Sequence, residues 1–410
     1  MSPKRTLCAA LSLCSVVGGG GLPALADSEQ PQPAVNHPKA AARDPLQAQF
    51  VIGGIALNNR DYEAAVAIFA DLLRKTNSPR VKLELARALF LARRYKAAKQ
   101  TFNEVLSEAE LPWAVKQNIR LYLDEIDSFL GFVKFGLSIV SDSNPRNFTS
   151  SKEVMIAGQV LSVVPPEDNR EIYGIRYKMT SGRPLSDDRR VLGFLNLSYT
   201  DFEQGQFDRW TGDTGVIYTF KSLPKLRSRT GVEYSAQGGN KQYDFSYTSL
   251  LYTPDPVRQF RLNHEFKVGR LHSPNAPQFD ATSYSLITNF SRPLDSGALV
   301  TSVVSIDHSR AKEDPYSYHG GAIGLGIDIP LNSWGLELFG SAGKRLYEEP
   351  DPFFEGKRSD SRKKLGLLLS NKNIQIMNFM PEIGVVYERN DSSLDFFSYD
   401  KLSLVFSLEE

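Results

Sequence analysis

The chain has 410 residues, with 48 lysines and arginines against 47 aspartates and glutamates, and a net charge of +1 gives no electrostatic case for nucleic acid or another polyanion. No run of about 18 apolar residues occurs, which excludes a spanning helix and leaves a closed barrel as the one way into a bilayer. The two cysteines, Cys8 and Cys14, both sit in the first 26 residues, so the rest of the chain offers no disulfide framework and no thiol chemistry.

Residues 1–26 carry Lys4 and Arg5, then an apolar stretch, then Ala24-Leu25-Ala26, the pattern of a secretory signal peptide. Cys14 follows Leu13 rather than a small residue, which argues against a lipoprotein signal. Residues 27–44 read as a Pro-rich linker. From 45 to 128 the period becomes helical. Tyr62, Ala65, Phe69 and Leu72 fall at helix spacings, and Tyr95, Ala98, Phe102 and Val105 repeat them 33 residues later. Pro79 and Pro112 share the offset, each opening a further helix. A period near 34 with these residue types resembles the tetratricopeptide repeat, in which each helix pair buries its face against the next. The array is small, about two repeats and a closing helix.

Residues 129–410 alternate with period two. Over 258–269, Phe260, Leu262, Phe266 and Val268 fall on one face, interrupted only by His264, while Gln259, Arg261, Asn263, Glu265 and Lys267 fall on the other. The same reading gives strands at 131–140, 172–180, 191–200, 209–220, 227–236, 243–252 and 258–269. It continues through 280–291, 298–309, 317–329, 334–346, 362–370, 377–387 and 394–406. That makes fourteen, an even number, each of roughly 10 residues with a connection of similar length. Every second connection is compact, and most of the others are longer or more polar, as in an outer-membrane barrel with its short turns on the periplasmic side. The expected fold is therefore α+β multidomain, a tetratricopeptide-like helical array followed by a 14-stranded antiparallel transmembrane β-barrel.

Within that barrel Arg261, Asn263, Glu265 and Lys267 are candidates to face the lumen, as are Gly320, Ala322, Gly324 and Gly326, which would leave room there. Trp210, Trp334, Tyr199, Tyr218, Tyr252 and Tyr347 lie near strand ends and read as interfacial girdle. In the closing strand Leu402, Leu404, Phe406 and Leu408 alternate, and Phe406 is the expected lipid-facing anchor. Glu409 and Glu410 read as a frayed tail. His264, His272, His308 and His319 stand near carboxylates, but no HExxH, GxSxG or GxxxxGK[ST] occurs, so neither an enzyme nor a cofactor is expected. The acidic and aromatic stretch 347–354 reads as a mobile surface loop.

The signal peptide, the small helical array, the junction GFVKFGLSIVSDSNPRN and the barrel together resemble the surface lipoprotein assembly modulators, the Slam family of Gram-negative outer membranes. Asp142, Ser143, Asn144 and Asn147 match that family's motif at the end of the first strand, while Pro145 and Arg146 depart from it. The resemblance implies an outer-membrane translocon with its helical domain in the periplasm and a surface lipoprotein or secreted soluble protein as client. It further implies the barrel-assembly machinery as partner for insertion and outer-membrane lipid around the wall. Two other functions fit the same elements: a tetratricopeptide porin for polysaccharide export or solute diffusion, and a surface protein for host interaction.

Overall fold

The computed structural model describes residues 45–410 apart from 109–110, 112, 157, 187, 258–259, 355, 372, 375, 377–378 and 410. The signal peptide and linker expected over 1–44, and Pro112, lie outside the described residues. The chain forms two compact units, a helical one ending at Phe132 and a second from Val133 to Glu410.

Five helices are described in the first unit: α1 (Pro45–Asn58), α2 (Tyr62–Thr76), α3 (Pro79–Leu91), α4 (Tyr95–Glu108) and α5 (Trp113–Leu130), each packed on the next. Asp61 caps α2, accepting from the Ala64 amide at 3.2 Å, while Pro79 opens α3 where a missing N–H costs nothing. The 33-residue offset is a packing repeat: Ala65, Phe69 and Leu72 are buried, and so are Ala98, Phe102 and Val105 at the matching positions. Phe102 stacks on Tyr122 with centroids 5.1 Å apart, and Phe50 meets Phe69 edge-on at 5.7 Å. Gly53 explains an otherwise poor helix residue, because a Cβ there would stand 2.7 Å from the Phe69 ring. The opposite face of α1 leaves Val51, Ile52 and Ile55 exposed.

Among the described residues fourteen strands close into one barrel. They are β1 (Phe132–Asp142), β4 (Ile172–Pro184), β5 (Val191–Phe202), β6 (Arg209–Thr219), β7 (Leu226–Gln237), β8 (Asn240–Tyr252) and β9 (Arg261–His272). The circuit continues with β10 (Ala281–Pro293), β11 (Leu299–Ala311), β12 (Tyr318–Leu331), β13 (Trp334–Pro350), β14 (Lys357–Asn371), β15 (Met380–Ser392) and β16 (Tyr399–Glu409). A hairpin, β2 (Glu153–Ile156) and β3 (Gln159–Ser162), stands apart from the barrel in the first long loop and is absent from the sequence reading. Large apolar side chains cover the outside: Ile306, Leu325, Leu365 and Ile383 are each about 60% exposed, which is stable only against lipid. No described helix is long and apolar enough to cross a membrane.

Three expectations need correction. The odd-numbered connections are mostly not long. β7 and β8 are joined through Gly238 and Gly239 alone, both at positive φ, and residues 347–350 belong to β13 rather than to a loop. What remains of that stretch is anchored, since buried Asp351 accepts from the Phe353 amide and Phe354 packs on Phe396 and Phe397. Tyr347 points inward, its ring 5.6 Å from Tyr318, whereas Tyr199 and Trp210 stack on the outer face. Finally, Glu409 is no frayed end. It pairs with Gly136 and with Met380, because β1 and β15 both extend far enough to hold it in register.

Candidate functional site in the barrel lumen

Strand side chains alternate, so the face opposite the lipid-exposed apolar band lines the lumen. On β9 that face carries Arg261, Asn263, Glu265 and Lys267, with Phe266 exposed on the other. Lys267 Nζ donates to Glu233 Oε1 at 2.9 Å, reaching across β8, and lies 4.4 Å from the Tyr247 ring. Tyr247 in turn donates to Asp213 Oδ1 at 2.8 Å, and Arg229 pairs with the same carboxylate while covering the Phe194 ring at 4.3 Å. Asn263 Oδ1 accepts from the Thr253 hydroxyl at 2.8 Å. Glu265 Oε1 is buried with no hydrogen bond among the described residues, and Arg227 acts on it electrostatically. From β6 to β9, then, the wall is a mostly self-compensated network of buried charge.

The end of the first strand is the second constellation. Asp142 is buried and its Oδ1 accepts from the Asn144 amide at 3.0 Å; its Oδ2 faces Arg209 of β6 at 3.3 Å and Lys401 of β16 at 3.8 Å. Asn144 Nδ2 donates to the carbonyls of Phe148 (2.9 Å) and Asp400 (3.2 Å), and its Oδ1 accepts from the Phe148 amide at 2.8 Å. Ser143 exchanges hydrogen bonds with Leu402, its amide donating to the carbonyl and its hydroxyl accepting from the amide. Asn147, at positive φ, accepts from Lys401 Nζ at 3.1 Å. The backbone ladder between β1 and β16 runs from Gly136↔Glu409 to Val140↔Val405, and above it these side chains take over the pairing. The two departures from the family motif also have roles. Pro145 offers its carbonyl to Arg209, and Arg146 covers the Phe207 ring while gripping Asp168, whose carboxyl it holds below the usual carboxylate range. Beneath them Val140, Ile172, Phe202 and Phe207 form an apolar cluster inside the barrel.

A third feature was missed by the sequence reading. Gly324, Ser341, Lys364, Glu388 and Lys401 stand directly opposite one another in turn, forming one level across β12 to β16. Arg362, one position higher on the same face, donates to Glu388 from Nε at 3.0 Å, and the Tyr399 hydroxyl donates to it at 2.9 Å. Towards the turn rim of the same wall stand Asp328 and Glu337, directly paired, and Glu382. The signal was present: in the run from Arg362 to Leu369, Arg362 and Lys364 share one parity and Leu365, Leu367 and Leu369 the other.

Phe406 lies on the outer face between Ile139 and Ile383. Of the histidines, His264 stacks on Tyr252, His272 bonds Asp280 at 3.2 Å and His308 approaches Glu348 at 3.7 Å. No group of three potential metal ligands occurs among the described residues.

Residues 257–410 match the family described as surface lipoprotein assembly modifier. The similarity is confined to this stretch, the second part of the barrel. No curated protein is detectably similar to the chain. Similar solved structures include a loop-deletion mutant of OmpT from Vibrio cholerae (9% identity, TM-score 0.36, 68% of this chain and 99% of that one). Another is OpdK of Pseudomonas aeruginosa crystallised with vanillate (10%, 0.38, 68% and 98%), and a third is a BenF-like porin of Pseudomonas fluorescens Pf-5 (7%, 0.39, 69% and 100%). The matched stretch holds all of β9 to β16, and so the whole Gly324 to Lys401 level. The Asp142–Asn147 latch lies outside it but is fastened to it through Asp400, Lys401 and Leu402. The protein resides in the outer membrane, and the match supports an export or assembly role there.

Proposed function

We propose that this protein is an outer-membrane translocon that moves client proteins, surface lipoproteins or secreted soluble proteins, to the cell surface, with its helical array in the periplasm as the client-binding module. The observation that carries this reading is the family match over residues 257–410, which falls on the wall of a closed barrel whose chain also carries a helical repeat unit. The exposed Val51, Ile52 and Ile55 of α1 give that unit an apolar face able to hold a non-native segment. The sequence has no phosphate-binding loop, so the driving force is folding or capture of the client outside. Insertion depends on the barrel-assembly machinery, which reads the closing strand.

The test is reconstitution of the full chain in liposomes with a lipoprotein encoded beside it as client. Protease accessibility of the client on the far side should rise with the protein present and fall when residues 45–127 are deleted. Transport no greater than in empty liposomes, with swelling by small sugars instead, would favour the porin. Undiminished transport by the deletion variant would remove the array from the mechanism.

A further inference from the structure

We propose that the lumen contains a binding site for a small oxyanion, a phosphate or carboxylate group, seated against Lys364 of β14 on the level that it shares with Lys401 of β16. The site starts from charge. Lys364 and Lys401 flank Glu388 on one level, and Lys364 feels the Glu388 carboxylate together with three cations, Arg362, Lys401 and Arg176. Glu388 also receives hydrogen bonds from Arg362 and Tyr399, and Asp142 is shared between Arg209 and Lys401, so the cations at this level outnumber the carboxylates. Lys364 itself makes no hydrogen bond or salt bridge among the described residues. Its ammonium lies 5.9 Å from the Phe339 ring, an attraction too weak to replace an anion. Cations gathered on a partly buried wall repel one another and lack the water that would stabilise them in bulk, so an oxyanion bridging them recovers both losses.

Room for the ligand comes from the neighbouring strands. Lys364 stands opposite Ser341, and Ser341 opposite Gly324, where an added Cβ would meet nothing closer than 3.7 Å. Arg362 likewise faces Gly343, and Gly343 faces Ala322. Short side chains on β12 and β13 therefore leave the cationic ends bordering free lumen. The charge reverses lower on the same wall, where Asp328, Glu337 and Glu382 stand, so an anion is favoured at the Lys364 level and repelled from the turn rim.

Calorimetric titration of the purified full-length protein in detergent, at ionic strength held constant with chloride, tests this with inorganic phosphate and with succinate as separate probes. Wild type is expected to bind at least one of them saturably below about 10 mM, and the probe that binds tells whether phosphate or carboxylate is preferred. Lys364→Gln should weaken that binding about tenfold or more, the loss expected for one charge-assisted hydrogen bond. Lys364→Arg should retain it, and so should Glu337→Gln at the opposite rim. Heat-modifiable migration on a gel checks that each variant is a closed barrel, and if Lys364→Gln does not close, the comparison rests on Lys364→Met. Absence of saturable binding of either probe to wild type, or equal affinity in a folded Lys364 variant lacking the charge, would overturn the assignment.

Discussion

Asn144→Ala isolates the latch above the closing seam. The side chain is 9% exposed and makes three hydrogen bonds, two from Nδ2 to the carbonyls of Phe148 and Asp400 and one accepted from the Phe148 amide. Alanine removes all three and leaves those backbone groups to find water in a confined place, a loss of about 2–4 kcal/mol, since each net bond contributes roughly 1 kcal/mol and an unsatisfied buried partner costs more. The damage should stay local, because the ladder from Gly136↔Glu409 to Val140↔Val405 does not involve Asn144. Hydrogen exchange on the full-length protein reads this directly. Protection of the Phe148 amide, which loses its acceptor, should fall by about thirtyfold or more, at about 1.4 kcal/mol per factor of ten, while the Phe406 amide keeps its protection. If Phe148 exchanges as slowly in the variant as in wild type, the side chain does not hold the loop and the latch reasoning fails.

Burial raises the Glu125 carboxyl above its usual range, so the folded helical unit binds this proton more tightly than the unfolded chain does. Stability from this group is fully present below the unfolded value of 4.5 and is lost as pH rises from there through the raised folded value. Glu125→Gln should therefore melt higher than wild type at pH 7 by circular dichroism and identically below about pH 4. Phe102→Ala empties a fully buried site stacked on Tyr122 and should cost the helical unit about 3–5 kcal/mol, with heat-modifiable migration of the barrel unchanged. Phe406→Asp places a charge on the outer face between Ile139 and Ile383, and cell fractionation should show less folded barrel in the outer membrane. Deleting 407–410 removes the pairs of Ser407, Leu408 and Glu409 with both neighbouring strands. It should lower the temperature at which the barrel unfolds in gel buffer, and an unchanged temperature would show that the lower seam contributes nothing.

The barrel was legible because alternation is a local signal that fourteen strands repeat, and each of them can be read without knowing its neighbours. All fourteen strands are found, many running a few residues further at the loop rim, as where the Glu348 amide donates to Ser317, while β16 starts at Tyr399 rather than 394. The helical repeat was legible for the same reason, since Tyr62 and Tyr95, or Phe69 and Phe102, occupy equivalent packing positions. What local signals miss is convergence. Arg209 reaching Asp142, or Lys401 reaching Asn147, joins residues 67 and 254 apart, and only barrel closure brings them together. The β2–β3 hairpin was missed because four-residue strands are shorter than the window in which alternation can be counted.

The lumen has two unlike walls, and the difference bears on what passes through it. Between β6 and β9 the cations Arg229 and Lys267 meet Asp213 and Glu233, and Tyr247 ties the two pairs together, so little free field remains to act on a passing chain. Between β12 and β16, Gly324, Ser341 and Gly343 leave room at the level where β14 and β16 present Lys364 and Lys401, and Asp328, Glu337 and Glu382 stand nearer the turn rim. An extended polypeptide entering from the turn rim would meet carboxylates first and cations afterwards along this wall. If the proposed translocation uses this path, acidic side chains would be drawn to the Lys364 level by a field that the partly buried wall screens less than bulk water does. The direction of that gradient is fixed by strand register alone. Asp328 must face Glu337, and Lys364 must face Glu388, as long as β12 to β15 keep their pairing, so the charge order along the path is as stable as the barrel itself.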